Sequence, residues 1–420
     1  MTAPRGQAGE ERLMLFDWGR ADARDAVAPG GVTPGGTFFD ETLRDGIQAP
    51  HVSTPGLDEK LELIDHMVRC GIGCADAGFP GSGPPAAGDC LAIARHVAAQ
   101  DHPLALGYAG RTHPADVRAI CDVAQHAGVA VDAYIFIGIS PIRLYVQEWT
   151  VGSVMADIRR AAAECRRDGV TFVLVLEDAV RCTPAILDRV YDVALEQGIT
   201  RVTLCDTVGA ASPAGTKRLV EWSRRYFEVR QHRVALEWHG HNDRGLAVAN
   251  SLAALAAGCA RVHGTVLGVG ERAGNASIDQ LIVNRELEHP GEYDMKALRE
   301  YCGRASGVLG VPIPENYPAM GRDVFKTSAG VHAAAILKAH EKRDAFAKDS
   351  VYSGVPASLL GREQEILIDA ASGASNVRYW FAVNGGEPGE AVIQDVLSTA
   401  KLAGRPLTDE EIGRIVAANR

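Results

Sequence analysis

The chain has 420 residues, of which 46% are hydrophobic and 23% charged, and its formal net charge is −10. This composition is ordinary for a folded globular protein, and the acidic balance argues against a nucleic-acid backbone as the partner. No apolar run is long enough to span a membrane. The nine scattered cysteines include no Cys-x-x-Cys pair, so a reducing, cytoplasmic location is expected.

The first 36 residues are rich in Gly, Pro, Ala and charged residues without a sustained period, and they are predicted to form a mobile leader. Apolar segments of strand length then alternate with amphipathic segments of helix length. The predicted strands cover residues 37–40, 72–78, 103–108, 130–137, 171–176, 200–205, 233–239 and 261–266. The clearest predicted helices cover residues 58–70, 114–127, 151–167 and 184–197.

Glycines precede many of the predicted strands, as expected where a helix ends in a left-handed residue. Eight strands alternating with helices over about 250 residues predict a (β/α)8 TIM barrel of the α/β class over residues 37–288. A doubly wound sheet is the alternative, but it would usually carry a Gly-rich phosphate loop after its first strand, and residues 42–45 are no such loop. Residues 289–420 are predicted to form a smaller, mainly helical region. The capping glycines are Gly71, Gly128, Gly169, Gly198 and Gly258.

Polar residues follow all eight predicted strands. In a TIM barrel these positions lie at the face that carries catalysis. Because they would converge on one mouth, an active site is predicted there in preference to a purely structural role. In strand order the residues are Arg44, Asp45 and Gln48; Asp76; Arg111; Ser140 and Arg143; Glu177 and Asp178; Asp206 and Thr207; His239 and His241; and the loop 268–275.

Two histidines at the end of the seventh predicted strand are the strongest single signal. His239 and His241 are two residues apart, so their imidazoles point to the same side of the strand. This arrangement suits a divalent metal ion, and two ordinary surface or core histidines are the alternative. Asp45, which follows the first strand, would supply an oxygen ligand to complement the two nitrogens.

Three ordered motifs carry a resemblance to a known family. They are Asp-x-Thr-Leu-Arg-Asp-Gly-x-Gln at 40–48, His-x-His-Asn-Asp-x-Gly-x-Ala-x-Ala-Asn at 239–250, and Gly-x-Gly-Glu-Arg-x-Gly-Asn at 268–275. Over about residues 37–375 the chain resembles the isopropylmalate synthase and homocitrate synthase family, the Claisen-condensing members of a superfamily of metal-dependent TIM-barrel enzymes. The resemblance implies that acetyl-CoA is condensed with a 2-oxo acid and that the thioester is then hydrolysed.

The resemblance also implies a metal centre. It matches Asp45, His239 and His241 to the family's metal ligands, and Asn275 to a further ligand or near-ligand. A mixed set of carboxylate, imidazole and amide suits an octahedral divalent ion, and Mg²⁺, Mn²⁺ and Zn²⁺ all remain open. The ion would hold the 2-oxo and carboxylate oxygens of the substrate and polarise its carbonyl.

Roles for the neighbouring residues follow from the same resemblance. Arg44 would place a fixed positive charge where the alkoxide develops, and a rim salt bridge with Asp76 or Glu177 is the alternative. Glu177 is itself a candidate catalytic residue. Thr207 would hydrogen-bond the substrate, whereas a plain helix N-cap by Asp206 or Thr207 is the alternative.

The region after the barrel resembles the family's segment that reaches into a neighbouring subunit's barrel. His332 is the candidate general acid or base and Tyr352 a supporting hydrogen-bond donor, which implies a homodimer. A histidine that packs within a helix is the alternative. Ala329 departs from the family pattern, because a serine is usual there. The leucine-sensing domain of isopropylmalate synthases is expected to be absent, and with it leucine feedback.

The identity of the 2-oxo acid acceptor is the least determined part of the predicted reaction. Arg143 would pair with a second acidic group on the 2-oxo acid, with Gln48, Ser140 and Arg111 as further substrate-binding candidates. These residues favour a diacidic acceptor, as in homocitrate synthases or the similar 2-phosphonomethylmalate synthases, for which Arg111 would be a second cation. Asp76 and Ile47 depart from the family pattern.

The same motifs leave alternatives to condensation with a diacidic acceptor. An isopropylmalate- or citramalate-type condensation with an apolar 2-oxo acid is the first alternative. An acyl-CoA lyase of the same superfamily is the second, although Glu271 resembles the condensing enzymes, and hydroxymethylglutaryl-CoA lyases carry a cysteine in that loop. A non-catalytic barrel is disfavoured by the complete ligand set.

Overall fold

The computed structural model describes residues 36–419. All but the last residue of the predicted leader, 1–36, lies outside the described residues. Within them the chain forms two compact units, residues 36–312 and residues 313–419. None of the helices in this described range is both long and apolar enough to cross a membrane.

The first unit is a closed barrel of eight parallel strands, as predicted. Strand β1 pairs in parallel with both β2 and β8, and this pairing closes the sheet. Every predicted strand is present within a few residues of its predicted bounds. The strands are β1 Thr37–Asp40, β2 Cys74–Asp76, β3 Ala105–Arg111, β4 Val131–Gly138, β5 Thr171–Glu177, β6 Arg201–Asp206, β7 Ala235–Gly240 and β8 Arg261–Gly264.

Helices surround the barrel, and their apolar spacing explains why they form. The first, for example, buries Leu63, Ile64 and Met67 on one face. It ends at Gly71, whose φ of 98° is left-handed and whose N–H bonds back to the last turn. All five predicted capping glycines have positive φ. The helices are α1 Leu57–Cys70, α2 Pro84–Ala99, α3 Pro114–Ala127, α4 Pro141–Val146, α5 Val151–Arg167, α6 Pro184–Glu196, α7 Pro213–Glu228, α8 Ala247–Ala256, α9 Ile278–Glu288 and α10 Met295–Leu309.

The first unit extends beyond the predicted boundary at residue 288, to Pro312. Helix α10 packs against α1. Its Tyr301 donates a hydrogen bond of 2.8 Å to Asp40 at the end of β1, and its Arg304 pairs with Glu62 at 2.6 Å. These contacts attach α10 to the barrel, and they could not be predicted because the partners are more than two hundred residues apart in the chain.

The second unit is mainly helical, as predicted. Its core packs Val377 and Phe381 against Ile393 and Val396. Its helices are α11 Gly330–Glu341, α12 Ala345–Ser350, α13 Ala374–Asn384, α14 Glu390–Ala403 and α15 Asp409–Ala418, and its two short parallel strands are β9 Lys326–Thr327 and β10 Glu365–Ile366.

Candidate active site

The predicted metal ligands lie together at the carboxyl end of the barrel strands. His239 and His241 stand at the end of β7, and Asp45 follows β1. The Asp45 Oδ2 atom lies 3.5 Å from His241 Nε2 and 3.8 Å from His239 Nε2, and all three side chains are buried. Asn275 donates a 2.5 Å hydrogen bond to the same carboxylate. The structure therefore brings all four predicted residues into one cluster.

This cluster fits a divalent ion in charge and in spacing. Burial, reinforced by His239, lowers the pKa of His241 to about 4, so its imidazole is neutral and able to coordinate. Burial opposes ionisation of Asp45, but Arg44 and His239 prevail and its pKa is lowered. Ligand bonds of about 2.1 Å place neighbouring ligand atoms roughly 3.0–3.4 Å apart. The observed separations of 3.5 and 3.8 Å are a few tenths of an ångström longer, so small side-chain movements would bring these atoms to an ion. Among the described residues, the buried His241 Nδ1 has no hydrogen-bond partner.

Arg44 is surrounded by carboxylates. Its guanidinium contacts Glu41 at 2.7 Å, Asp45 at 3.0 Å and Asp76 at 2.8 Å. Burial works against its charge, but the three acids raise its pKa well above the usual value, so it is permanently positive. Of its two predicted rim partners, Asp76 is observed, whereas Glu177 pairs with Arg143 instead. Arg44 also lines the cavity described below, so the salt bridge with Asp76 and a place in the site coexist.

Glu41 is a part of the site to which the sequence reasoning assigned no role. Its carboxylate lies 2.7 Å from His239 Nδ1 and 3.0 Å from His263 Nδ1. The other nitrogen of His263 lies 3.0 Å from Glu237, deeper in the barrel. By holding Nδ1 of His239, Glu41 leaves Nε2 facing Asp45, which is how an outer carboxylate orients a metal-binding imidazole. The only available signal was that Glu41 lies inside the first motif.

A buried chain of charges thus runs from the mouth into the barrel interior. His263 carries the positive charge between two acids: burial opposes it, but Glu41 and Glu237 raise its pKa to about 9. Glu41 is 2% exposed and His263 is 2% exposed, so neither charge is compensated by water. The pKa of Glu41 is held well below its usual value against burial by His239, Arg44 and His263.

A cavity of about 210 Å³ opens beside this cluster. Its volume lies below the roughly 300–1,000 Å³ of pockets for drug-sized ligands, so it suits a small ligand. One part of its lining is apolar, with Phe79, Ala109, Phe136 and Val175. The predicted site residues that line it are Arg44, Asp45, Gln48, Asp76, Glu177, Thr207, His239, His241 and Glu271.

Thr207 lines the cavity. Its Oγ1 accepts a 2.8 Å hydrogen bond from the Asp178 N–H, so the hydroxyl proton remains available to a substrate oxygen. Neither Thr207 nor Asp206 caps the next helix, because Ser212 is the N-cap of α7. The Asp206 carboxylate accepts from the N–H groups of residues 210 and 211 and so shapes the loop.

Three predicted substrate residues are not among the described residues that line the cavity. Arg143 pairs with Glu177 at 3.0 Å. Ser140 caps α4 and donates a hydrogen bond to Asp178 at 2.5 Å. Arg111 forms a bidentate pair with Asp116, at 2.6 and 3.0 Å, with 58% of its side chain exposed. The sequence indicated the two arginines but not which carboxylates would pair with them.

The loop after β8 requires glycine at two positions. Gly270 has a φ of 155°, and a Cβ there would lie 2.2 Å from Asn275 Oδ1. Gly274 has a φ of 84°, and a Cβ there would lie 2.0 Å from the Gly268 carbonyl oxygen. The glycines therefore let the backbone fold tightly around Asn275 and set that side chain against Asp45.

His332 and Tyr352 lie together in the second unit. Their rings are stacked with centroids 4.0 Å apart. Both side chains are exposed, and His332 lies in the first turn of α11. His332 and Tyr352, which lie in different segments of the chain, thus form one pair on the surface.

A parallel eight-stranded barrel with a buried carboxylate and imidazole cluster at its mouth defines a TIM-barrel protein with a candidate metal centre. The family comparison is specific: residues 36–301 match the HMGL-like family model. The chain therefore belongs to the HMGL-like family, as the sequence motifs indicated.

Its relatives are enzymes. The chain is 33% identical to a 2-isopropylmalate synthase of Acidimicrobium ferrooxidans, over 89% of this chain and 70% of the relative. It is 31% identical to a homocitrate synthase of Methanopyrus kandleri, over 90% of this chain and 91% of the relative. A solved hydroxymethylglutaryl-CoA lyase from Pseudomonas aeruginosa shares the fold, with a TM-score of 0.54 at 21% identity over 67% of this chain and 93% of that one.

Proposed function

We propose that the protein is an acyltransferase that condenses acetyl-CoA with a 2-oxo acid. The acetyl methyl carbon would lose a proton and bond to the 2-oxo carbon, and water would cleave the thioester to release a 2-hydroxy acid and CoA. The observation that carries this proposal is the adjacency of Arg44 to the Asp45, His239 and His241 cluster in a small cavity. The synthase relatives support the same reaction class.

A divalent ion held by Asp45, His239 and His241 would polarise the 2-oxo group. Arg44 holds a fixed positive charge beside it, where negative charge develops on the former carbonyl oxygen, and three carboxylates keep this guanidinium in place before substrate arrives. Thr207 would donate its free hydroxyl proton to the substrate carboxylate.

His332 and Tyr352 are proposed to act on acetyl-CoA from the partner subunit of a homodimer. The support within this chain is that the two rings stack on an exposed surface, so an imidazole and a phenol are offered to a second surface together. In this role His332 would move the proton that leaves the acetyl methyl group.

For the acceptor, we propose a 2-oxo acid with a second acidic group. Glu177 lines the cavity and holds Arg143 at 3.0 Å. Burial raises the pKa of Glu177 although Arg143 lowers it, so this carboxylate is protonated, and loses its negative charge, more readily than an exposed acid would. An anionic substrate tail would then replace Glu177 as the partner of Arg143. A phosphonate tail has less support, because Arg111 is already paired with Asp116.

An apolar acceptor is the second candidate, and a specific observation favours it. Phe79, Phe136 and Val175 form an apolar wall of the cavity. A branched aliphatic tail would bury against these side chains, at roughly 25 cal/mol for each Å² removed from water. In that case Arg143 would keep its pairing with Glu177.

Acceptor specificity is testable with a matched pair of arginine variants. Purified enzyme, acetyl-CoA and a divalent ion would be incubated with 2-oxoglutarate, oxaloacetate, phosphonopyruvate, pyruvate or 2-oxoisovalerate, and free thiol followed. For a diacid acceptor, Arg143→Met is expected to raise KM about tenfold or more, while Arg111→Met leaves it unchanged. If 2-oxoisovalerate gives the highest kcat/KM of the five acids, and Arg143→Met leaves that value unchanged, the acceptor is apolar. Thiol release with none of the acids, together with cleavage of hydroxymethylglutaryl-CoA, would establish a lyase.

A further inference from the structure

A second cluster of two histidines and a carboxylate lies outside the barrel mouth. Asp65 lies on α1, His96 near the end of α2, and His102 in the loop that leads to β3. Asp65 Oδ1 lies 2.7 Å from His96 Nε2 and 2.8 Å from His102 Nε2. The two imidazole rings stand nearly perpendicular, 5.6 Å apart at 68°. The three ligand atoms lie within 4.8 Å of one another.

We propose that Asp65, His96 and His102 form a second binding site, for a divalent transition-metal ion of the Zn²⁺ class. Two imidazoles and one carboxylate are ligands that Zn²⁺ and its neighbours in the first transition row bind well. Both histidines turn Nε2 to the same carboxylate oxygen, Asp65 Oδ1, so the three donor atoms are close enough to share one ion. Water would complete the coordination, because the Asp65 side chain is 44% exposed.

The spacing requires only a small adjustment. Tetrahedral ligands with bonds of about 2.0 Å lie roughly 3.3 Å apart, so the two contacts of 2.7 and 2.8 Å would each open by about 0.5 Å. The histidine side chains are 19% exposed and Asp65 is at the surface, so small side-chain rotations can supply this movement.

This site is separate from the candidate active site. His102 lies just before β3, at the amino end of the barrel strands, whereas Asp45, His239 and His241 lie at the carboxyl ends. An ion here would connect α1, α2 and the loop before β3, and would therefore act as a structural ion. The competing explanation is a metal-free ion-pair cluster that attaches the two helices.

Cobalt binding to the full-length protein distinguishes the two explanations. Metal would be removed with a chelator, and Co²⁺ stoichiometry would be measured by equilibrium dialysis and by visible absorption. We expect two ions per wild-type chain, one in Asp45→Asn, one in His102→Gln, and none in the double variant. His232→Gln, at an exposed histidine outside both clusters, is the matched control and should bind two.

The failure of each site gives a different result. If the wild type binds one ion and Asp45→Asn binds none while remaining folded by circular dichroism, the second site does not exist. If the double variant still binds one ion, the ligands are misassigned. If Asp45→Asn retains every ion bound by the wild type while His102→Gln binds one fewer, the barrel-mouth assignment fails and the second site stands; if His102→Gln also retains every ion, the second site is refuted. Zn²⁺ should also raise the Tm of Asp45→Asn but not that of the double variant, and an equal rise in both would overturn the proposal.

Discussion

The buried His263 makes the stability of the barrel depend on pH in the alkaline range. It lies between Glu41 and Glu237, 3.0 Å from each, and these acids raise its pKa from 6.5 to about 9 despite burial. A group whose pKa is raised on folding stabilises the protein fully below its unfolded pKa, and this stability is lost as pH rises through the folded value. The window therefore extends from about 6.5 to about 9.

The size of the stability change follows from the same two pKa values of His263. The rise from 6.5 to about 9, at about 1.4 kcal/mol per pH unit, corresponds to about 3 kcal/mol of unfolding free energy. His263→Gln retains hydrogen-bonding groups but cannot carry the charge, so it should remove this pH dependence. The variant should also be the less stable protein at pH 6, because the charges of Glu41 and Glu237 lose their common partner.

Urea unfolding of metal-free protein at several pH values between about 6 and 9.5 tests this prediction. Asp40 and Asp76, whose pKa values burial raises to about 6, titrate near or below the lower end of this range and are common to both proteins. The buried cysteines, whose pKa values burial raises, also cost stability as pH rises, but they are common to both proteins. We therefore expect the wild type to lose about 3 kcal/mol more across the range than His263→Gln. The exposed His232→Gln should match the wild type. Equal losses in wild type and His263→Gln would refute the assignment of a charged histidine inside the barrel.

Three further perturbations address the site. Glu41→Gln should weaken divalent-ion affinity about 10–100-fold in a competition assay with a chelating dye, and unchanged affinity would mean that the outer carboxylate orients nothing. Gly270→Ala should abolish thiol release because its Cβ would meet Asn275, whereas Gly73→Ala, where a Cβ meets nothing within 4 Å, should not; retained activity in the first variant would contradict the described loop. His332→Ala should keep metal and 2-oxo acid binding but lose turnover, and normal turnover would remove this residue from the mechanism.

The barrel was predictable because its signals are local. Apolar periodicity located all eight strands, and glycines such as Gly71 and Gly128, with their left-handed φ values, marked the helix ends. The proximity of His239 and His241 was predictable for the same reason, since two residues that are two apart on one strand share a face. The position of Asp45 after the first strand placed it at the same end of the barrel as the two histidines.

What the sequence could not supply were partners across the fold. Glu41 contacts His263, which lies 222 residues away in the chain. No local sequence pattern near either residue therefore indicates the buried chain of charges. Arg143 and Arg111 were visible as cations at strand ends, but their neutralisation by Glu177 and Asp116 depends on side-chain directions that only the folded chain defines. The cluster at Asp65 was missed for the same reason, because His96 and His102 follow it by 31 and 37 residues.

We propose that the Asp45, His239 and His241 cluster at the barrel mouth supports condensation of acetyl-CoA with a 2-oxo acid. The most direct test is thiol release from acetyl-CoA by chelator-treated enzyme before and after a divalent ion is restored, in wild type and in Asp45→Asn. We predict no release without the ion, release after its return only when the 2-oxo acid is present, and none at any ion concentration in the variant. Full activity of Asp45→Asn, or release that does not depend on the ion, would contradict the claim.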